Sequence, residues 1–257
     1  MEVIVVNRPE HAGRIAADRI AEVCANLARP IIGLATGSSP MPAYQELARR
    51  VDLGLDLSHV RAFALDEYVG LPYEHPESYH SVIDREVVRP LGLRADAVHV
   101  PPGMASHLTQ AADDYDAAIT QAGGIDLQIL GIGSDGHIGF NEPTSSFSSR
   151  TRVKRLTART RRDNARFFDS LEDVPTHCVT QGLGTIMEAS EIVLFAFGSS
   201  KAEAVAAAVE GPMASVCPAS VLQLHPRATV IVDDAAAQEL QLRDYYRDAY
   251  EGRALIR

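Results

Sequence analysis

A chain of 257 residues, 46% hydrophobic and carrying a formal net charge of −10, has the length of one α/β domain and enough apolar surface for a sizeable core. Its acidity excludes a general nucleic-acid binder, yet a small anion needs only a few local donors. Cys24, Cys178 and Cys217 are odd in number, widely spaced and outside any CxxC pair, which argues against disulfides and zinc and fits a reducing cytoplasm.

Val3–Val6 reads as a first strand; with no basic flank it is too short for a signal peptide or a membrane span. Ile15, Ile20, Val23 and Leu27 follow at helical spacing, with charges between them. Pro30–Ala35 is a second strand and runs into Thr36-Gly37-Ser38-Ser39-Pro40. Pro40 suits the first turn of the next helix, with Ser38 or Ser39 as its N-cap. Such a loop is either a simple capped turn or an anion site, since it presents free N–H groups and hydroxyls. Val60–Leu65 is the third strand and ends on Asp66-Glu67, an acidic pair that by itself also reads as a solvated edge or a helix cap. Ser78 caps a helix reaching Val88, Leu91–Val100 leads into another strand, and Thr109–Ala122 is a helix stopped by Gly123-Gly124.

Ile125–Leu130 is a nearly continuous apolar run, as a buried central strand requires. It ends in Gly131-Ile132-Gly133, and Asp135, His137 and Glu142 place three titratable groups within the next few residues. Ligands of open α/β sheets collect at the carboxyl ends of strands, so these groups fall where a site is expected. An Asp two residues from a His can orient the imidazole and fix its tautomer, while a second carboxylate tunes its charge. Two other readings compete. Gly131 to Gly136 matches the dinucleotide fingerprint GxGxxG, but Pro143 and several serines stand where the long helix should open, and Arg152, Lys154 and Arg155 stand where a ribose-binding acid is expected. Asp135, His137 and Glu142 also form a permissible metal donor set, with no further His or Cys pairing to support it.

Thr144–Arg166 crowds together Arg150, Arg152, Lys154, Arg155, Arg159, Arg161, Arg162 and Arg166, and such a run is usually a solvated face. Glu191–Phe197 is a buried strand, followed by Gly198-Ser-Ser-Lys201 and an alanine-rich helix to Val209. Lys201, in the first turn, opposes the helix dipole, so it is either a flexible surface lysine or a cation waiting for an anion. Ala228–Val232 and a helix beyond Asp234 complete the alternation. Strands and helices alternating without repeat or linker predict a single-domain α/β fold, a largely parallel, doubly wound, Rossmann-like sheet flanked by helices on both faces.

Three motifs carry a resemblance to a known family: Leu65-Asp66-Glu67-Tyr68-Val69-Gly70-Leu71, Gly133-Ser-Asp135-Gly-His137-Ile-Gly-Phe-Asn141-Glu142-Pro143, and Ser149-Arg-Thr-Arg152. With them the chain resembles glucosamine-6-phosphate deaminase, over nearly its whole length. The wider superfamily includes 6-phosphogluconolactonases, which share the glycine–Asp-Gly-His signature; the Phe140-Asn141-Glu142-Pro143 continuation and the DEYVGL segment favour the deaminase branch. The resemblance implies conversion of glucosamine 6-phosphate and water to fructose 6-phosphate and ammonia in amino-sugar catabolism, with no cofactor and no metal. It assigns the substrate phosphate to Gly37, Ser38, Ser39, Arg166 and Lys201. Asp66 becomes the general base at carbon, His137 the ring-opening group, and Asp135 and Glu142 its orienting acids. It also implies a mobile lid and effector segment within 144–170, where Ser145, Ser146, Arg152 and Lys154 match positions that bind N-acetylglucosamine 6-phosphate between subunits of a trimer or hexamer. Arg155 departs from the pattern, standing where relatives carry a small polar residue. Two rival functions are a 6-phosphogluconolactonase and a non-catalytic sugar-phosphate sensor. The chain begins at the first strand, leaving no room for a DNA-binding helix pair, and holds all four candidate catalytic residues, both of which disfavour the sensor.

Overall fold

The computed structural model describes residues 1–255. In chain order its strands are β1 (Glu2–Val6), β2 (Ile31–Leu34), β3 (Arg61–Ala64), β4 (Asp66–Tyr68), β5 (Val98–His99), β6 (Leu127–Gly131), β7 (Arg152–Arg155), β8 (His177–Thr180), β9 (Glu191–Ala196) and β10 (Ala228–Asp233). Seven of them form one sheet in the order β1-β10-β9-β6-β2-β3-β5, with every neighbouring pair parallel. The helices that flank it are α1 (Pro9–Asn26), α2 (Met41–Asp52), α3 (Tyr79–Ile83), α4 (Arg89–Leu91), α5 (Leu108–Ala122), α6 (Ala158–Asn164), α7 (Leu183–Met187), α8 (Ala202–Val209) and α9 (Arg243–Glu251). No helix among the described residues is long and apolar enough to cross a membrane.

The apolar runs explain the layering. Residues 127–130 and 192–196 are buried throughout, as strands covered on both faces must be. From β2 the chain steps outward through β3 to β5; from β6 it steps the other way through β9 to β10. The winding therefore reverses between β2 and β6, and the loops leaving these two strands diverge around a crevice. Within that pair Gly33 sits opposite Gln128. The buried Gln128 side chain lies where a Cβ on Gly33 would be, and its amide nitrogen donates to the Ile129 carbonyl.

Three local expectations change. Neither Ser38 nor Ser39 caps α2: the N-cap position is Pro40, which has no side-chain acceptor, and the serines stay uncapped in the loop. The helix from Ser78 widens into a π turn over Asp84–Val88 before α4, because Pro90 has no N–H for the Glu86 carbonyl and its ring would crowd it. A three-stranded antiparallel sheet, β4-β8-β7, stands beside the main one and has no counterpart in the sequence reading. Its β7, Arg-Val-Lys-Arg, shows one apolar residue inside a charge run, and Val153 pairs in register with Val179 of β8. The GxGxxG segment opens no helix; a bridge between Ile138 and Asn141 follows it, and the next helix is α6. The dinucleotide reading thus lacks the helix N-terminus that a pyrophosphate requires.

Gly13 of α1 shows how closely this framework is packed around the α2 start. A Cβ there would fall 2.3 Å from the Pro42 carbonyl oxygen and 2.6 Å from its carbon. Alanine gains up to about 1 kcal/mol over glycine within a helix, but forcing a methyl against backbone costs roughly 1–3 kcal/mol. Gly13→Ala is expected to lower stability in urea or thermal unfolding; a gain equal to the helix propensity would show that α1 and α2 separate freely.

Candidate active site

Four strand ends of the main sheet feed one cleft. From β2 come Thr36, Gly37, Ser38 and Ser39, from β3 Leu65 and Asp66, from β6 Gly133, Ser134 and His137, and from β9 Ser199, Ser200 and Lys201. Arg159, Asp163, Asn164, Arg166 and Phe168, on α6 and the turn after it, form the opposite wall. The sequence-predicted residues Asp66, His137, Gly37, Ser38, Ser39, Arg166 and Lys201 all line this one space.

The loop after β6 is built for its histidine. Gly133 N–H donates to the His137 carbonyl at 2.8 Å, and Gly136, at φ 83°, donates back to the Gly133 carbonyl at 3.0 Å. This tight closure lays the imidazole flat on Gly133, whose absent Cβ would sit 2.2 Å from Cε1 and 2.3 Å from Nδ1. Asp135 Oδ1 accepts from His137 Nδ1 at 2.6 Å and from the His137 amide at 3.2 Å. Burial acts to raise the Asp135 carboxyl, but the bonds from His137 and its facing charge outweigh that and bring it down to about 2. An ionised Asp135 keeps the proton on Nδ1, so Nε2 is the nitrogen free to exchange protons. Glu142, 3% exposed, reaches Nδ1 at 3.9 Å and accepts the Thr157 amide at 2.9 Å. Thr157 is also the N-cap of α6, so the same carboxylate ties the histidine loop to the far wall.

Donor atoms of Asp135, His137 and Glu142 lie within 4.8 Å of one another, as a metal site would require. The 2.6 Å hydrogen bond between two of them is the distinguishing feature. Ligands roughly 2.0–2.2 Å from a zinc ion stand more than about 3 Å apart, so this pair would have to separate. The arrangement as it stands is a hydrogen-bonded imidazole–carboxylate dyad.

Asp66 stands where the chain leaves the main sheet for the small one. Leu65 still donates to the Leu34 carbonyl, while Asp66 already pairs with Thr180 of β8. The residue is 6% exposed. Desolvation, then the neighbouring Glu67 charge, push it up to about 8 against a smaller lowering by the Phe140 amide. Glu67 faces away from the cleft, so the acidic pair is neither a solvated edge nor two equivalent groups.

At the other end of the cleft the charges are positive. Lys201 is the N-cap residue of α8, at the end of a 3-10 turn, Ser199–Lys201. Burial lowers its pKa most; Asp163 and Asp135 oppose this, while Arg166 and Arg159 add to it. A bound dianion would relieve that crowding. Arg166 lies over the Phe167 ring at 4.7 Å and, among the described residues, makes no salt bridge. The rest of the basic run divides between exposed residues, Arg155, Arg159 and Arg162, and half-buried ones, Arg150, Arg152, Lys154 and Arg161. Arg150 pairs with Asp116 and Glu188, Arg161 donates to the Leu171 and Val174 carbonyls, and Arg159 donates to Ser134. Arg159, Asn164, Thr36 and Tyr79 are cleft residues that the sequence reading missed; nothing in the spacing of the basic run separates Arg159 from its neighbours.

Ser145, Ser146, Arg152 and Lys154 are not among the cleft residues. Ser145 is buried and donates its hydroxyl to the Glu142 carbonyl at 2.7 Å; Ser146 shares a hydrogen bond with Ser148. Arg152 and Lys154 alternate on β7, and burial lowers the Arg152 pKa.

An open α/β sheet whose strand ends gather a carboxyl, a histidine dyad and a cationic pocket defines a class of sugar-phosphate enzymes, and the comparisons agree. The chain belongs to the glucosamine-6-phosphate isomerase/6-phosphogluconolactonase family, whose model matches residues 8–231. It is 56% identical over 253 residues to a glucosamine-6-phosphate deaminase of Pseudarthrobacter chlorophenolicus, covering 98% of each chain. A solved structure described as a monomeric glucosamine-6-phosphate deaminase is 37% identical, with a TM-score of 0.91 over 93% of this chain and 100% of that one. A 6-phosphogluconolactonase from Trypanosoma cruzi, 21% identical with a TM-score of 0.75 over 93% of this chain and 97% of that one, shares the fold.

The Gly133–imidazole contact yields a direct test. Gly133→Ala should displace the ring from Asp135 and lower kcat by about 10²-fold or more, the scale of a lost acid/base group. Circular dichroism should report an unchanged fold; retained activity would show that the ring can work from another position.

Proposed function

We propose that this chain converts glucosamine 6-phosphate and water to fructose 6-phosphate and ammonia. The single observation that carries the reading is the convergence of a buried carboxyl, a histidine–carboxylate dyad and a cationic pocket at one cleft. The 56% identity to a named deaminase supports this branch of the family over the lactonase branch, where 21% identity speaks for the fold alone.

In this reading Lys201 and Arg166, with the Gly37-Ser38-Ser39 loop, hold the phosphate, and binding energy from that remote group lines up the reacting carbons. His137 Nε2 transfers the proton that opens the pyranose ring, while Asp135 and Glu142 fix the imidazole and its charge. Asp66 takes the proton from C2 of the open form and returns one to C1. The enolamine becomes an imine at C2, water adds, and ammonia leaves. No electron leaves the substrate, so the steps call only for proton transfer and water. Residues 158–168 form the wall that closes over the sugar, latched through Ser134 to Arg159 and Asp163.

A coupled assay of ammonia and fructose 6-phosphate tests the reaction, with lactone hydrolysis as the rival. Lys201→Ala and Arg166→Ala should each raise KM and also lower kcat; normal kinetics in both would put the phosphate elsewhere.

Asp66→Asn keeps size and polarity but removes the base. Turnover should fall by about 10²- to 10⁴-fold, and solvent deuterium should no longer enter C2 of recovered substrate, read by NMR. The same variant has a stability signature. A folded value of about 8 against an ordinary 3.8 means that the wild-type carboxyl stabilises the fold fully below the lower value and loses that contribution as pH rises through the upper one. Asp66→Asn should therefore gain Tm over wild type as pH increases across that window.

A further inference from the structure

Glu67 is 0% exposed, does not line the cleft, and accepts three backbone hydrogen bonds. Its Oε1 accepts the Tyr68 amide at 2.8 Å and the Tyr79 amide at 2.9 Å, and its Oε2 accepts the His80 amide at 2.8 Å. Tyr79 and His80 are the first residues of α3, so the carboxylate takes up amides that have no partner within the helix. On β4 its side chain alternates with that of Asp66, placing two buried carboxyls on neighbouring residues at opposite faces of one strand. Both are pushed up, each first by desolvation.

Two buried carboxyls on neighbouring residues repel when both are ionised, which disfavours the second charge. Three N–H donors converge on Glu67, while the Phe140 amide beside Asp66 donates to the Thr180 hydroxyl and lowers the Asp66 carboxyl only slightly. Hydrogen bonds from three amides favour the charged form of Glu67, so the like-charge repulsion falls on Asp66. The other titratable groups that face Asp66 are Tyr68 of β4, Tyr79 of α3, Tyr115 of α5 and Cys178 of β8, all raised first by burial and hence neutral. Gly139 and Thr180 also lie beside it and carry no charge.

We propose that Glu67 is a positioning residue for the reaction: a fixed, amide-bound anion behind the strand that sets the proton affinity of Asp66. This rests on the reading of Asp66 as the base. A group that takes a proton from C2 and returns it to C1 must hold that proton neither too weakly nor too strongly, which an ordinary carboxyl at neutral pH does not do. Glu67 supplies the repulsion without touching the substrate.

The test uses the full-length protein with ¹³C-labelled aspartate carboxyls, wild type and as the variants Glu67→Gln and Glu67→Asp. Glu67→Gln should lower the NMR titration midpoint of Asp66 by at least about one pH unit, the scale of a lost like-charge neighbour. The acidic limb of kcat/KM should move with it; the amine of the substrate titrates in a similar range but does not respond to the substitution. Glu67→Asp retains the charge and should keep the midpoint near that of wild type, which guards against a mere loss of the α3 anchor. An unmoved Asp66 midpoint in folded Glu67→Gln protein overturns the proposal and leaves Asp66 as base. A shifted midpoint with an unmoved kcat/KM limb overturns instead the assignment of Asp66 as base, and with it the link from Glu67 to the chemistry. If Glu67→Gln does not fold, the proposal is decided by Glu67→Asp: a midpoint displaced to the ordinary carboxylate range despite the retained charge overturns it.

Discussion

The structure depends on the parallel pairing of β2 with β6, where the winding of the sheet reverses. Parallel strands release their loops at one edge, and at a reversal those loops separate instead of crossing, leaving a crevice. The pairing is close: Gly33 has no side chain because the buried amide of Gln128 occupies that space. From this point the Gly37-Ser38-Ser39 loop leaves on one side and the Gly133–His137 loop on the other. Asp66 and Lys201 arrive from the flanking strands β3 and β9.

Charge is graded along the crevice. At one end, Lys201, Arg159 and Arg166 crowd together with Asp163; at the other stands the buried Asp66 carboxyl, with Glu67 behind its strand. The histidine dyad lies in the same space, with Asp135 held ionised by its partner. Such a gradient suits a substrate with a phosphate at one end and a cationic amine at the other.

The far wall is joined to the chemistry through two contacts. Thr157 caps α6 and donates its amide to Glu142, and Ser134 links the β6 loop to Arg159 and Asp163. A shift of α6 therefore reaches both the acid beside the imidazole and the loop that carries it. The small antiparallel sheet bears on the same region: β7 leads toward α6, and β8 holds β4, on which Asp66 and Glu67 alternate.

The sequence by itself determined the parallel core, the alternation of its seven strands with helices, and the location of the Gly133–Glu142 loop, because continuous apolar runs and glycine stops are local signals that burial on two faces imposes. The helix ending at Gly123-Gly124 and the strand at Glu191–Ala196 were legible for the same reason. The motif resemblance supplied Asp66, Arg166 and Lys201, which composition and spacing alone left open between site and surface. Tertiary structure alone decided what their neighbourhoods are. Arg159 became a cleft residue and Arg150 an anchor although both belong to one basic run, since their partners Ser134 and Asp116 are distant in the chain. It also separated Asp66 from Glu67: consecutive acids look alike in a sequence, but a strand points them to opposite faces, one into the cleft and one onto the first amides of α3.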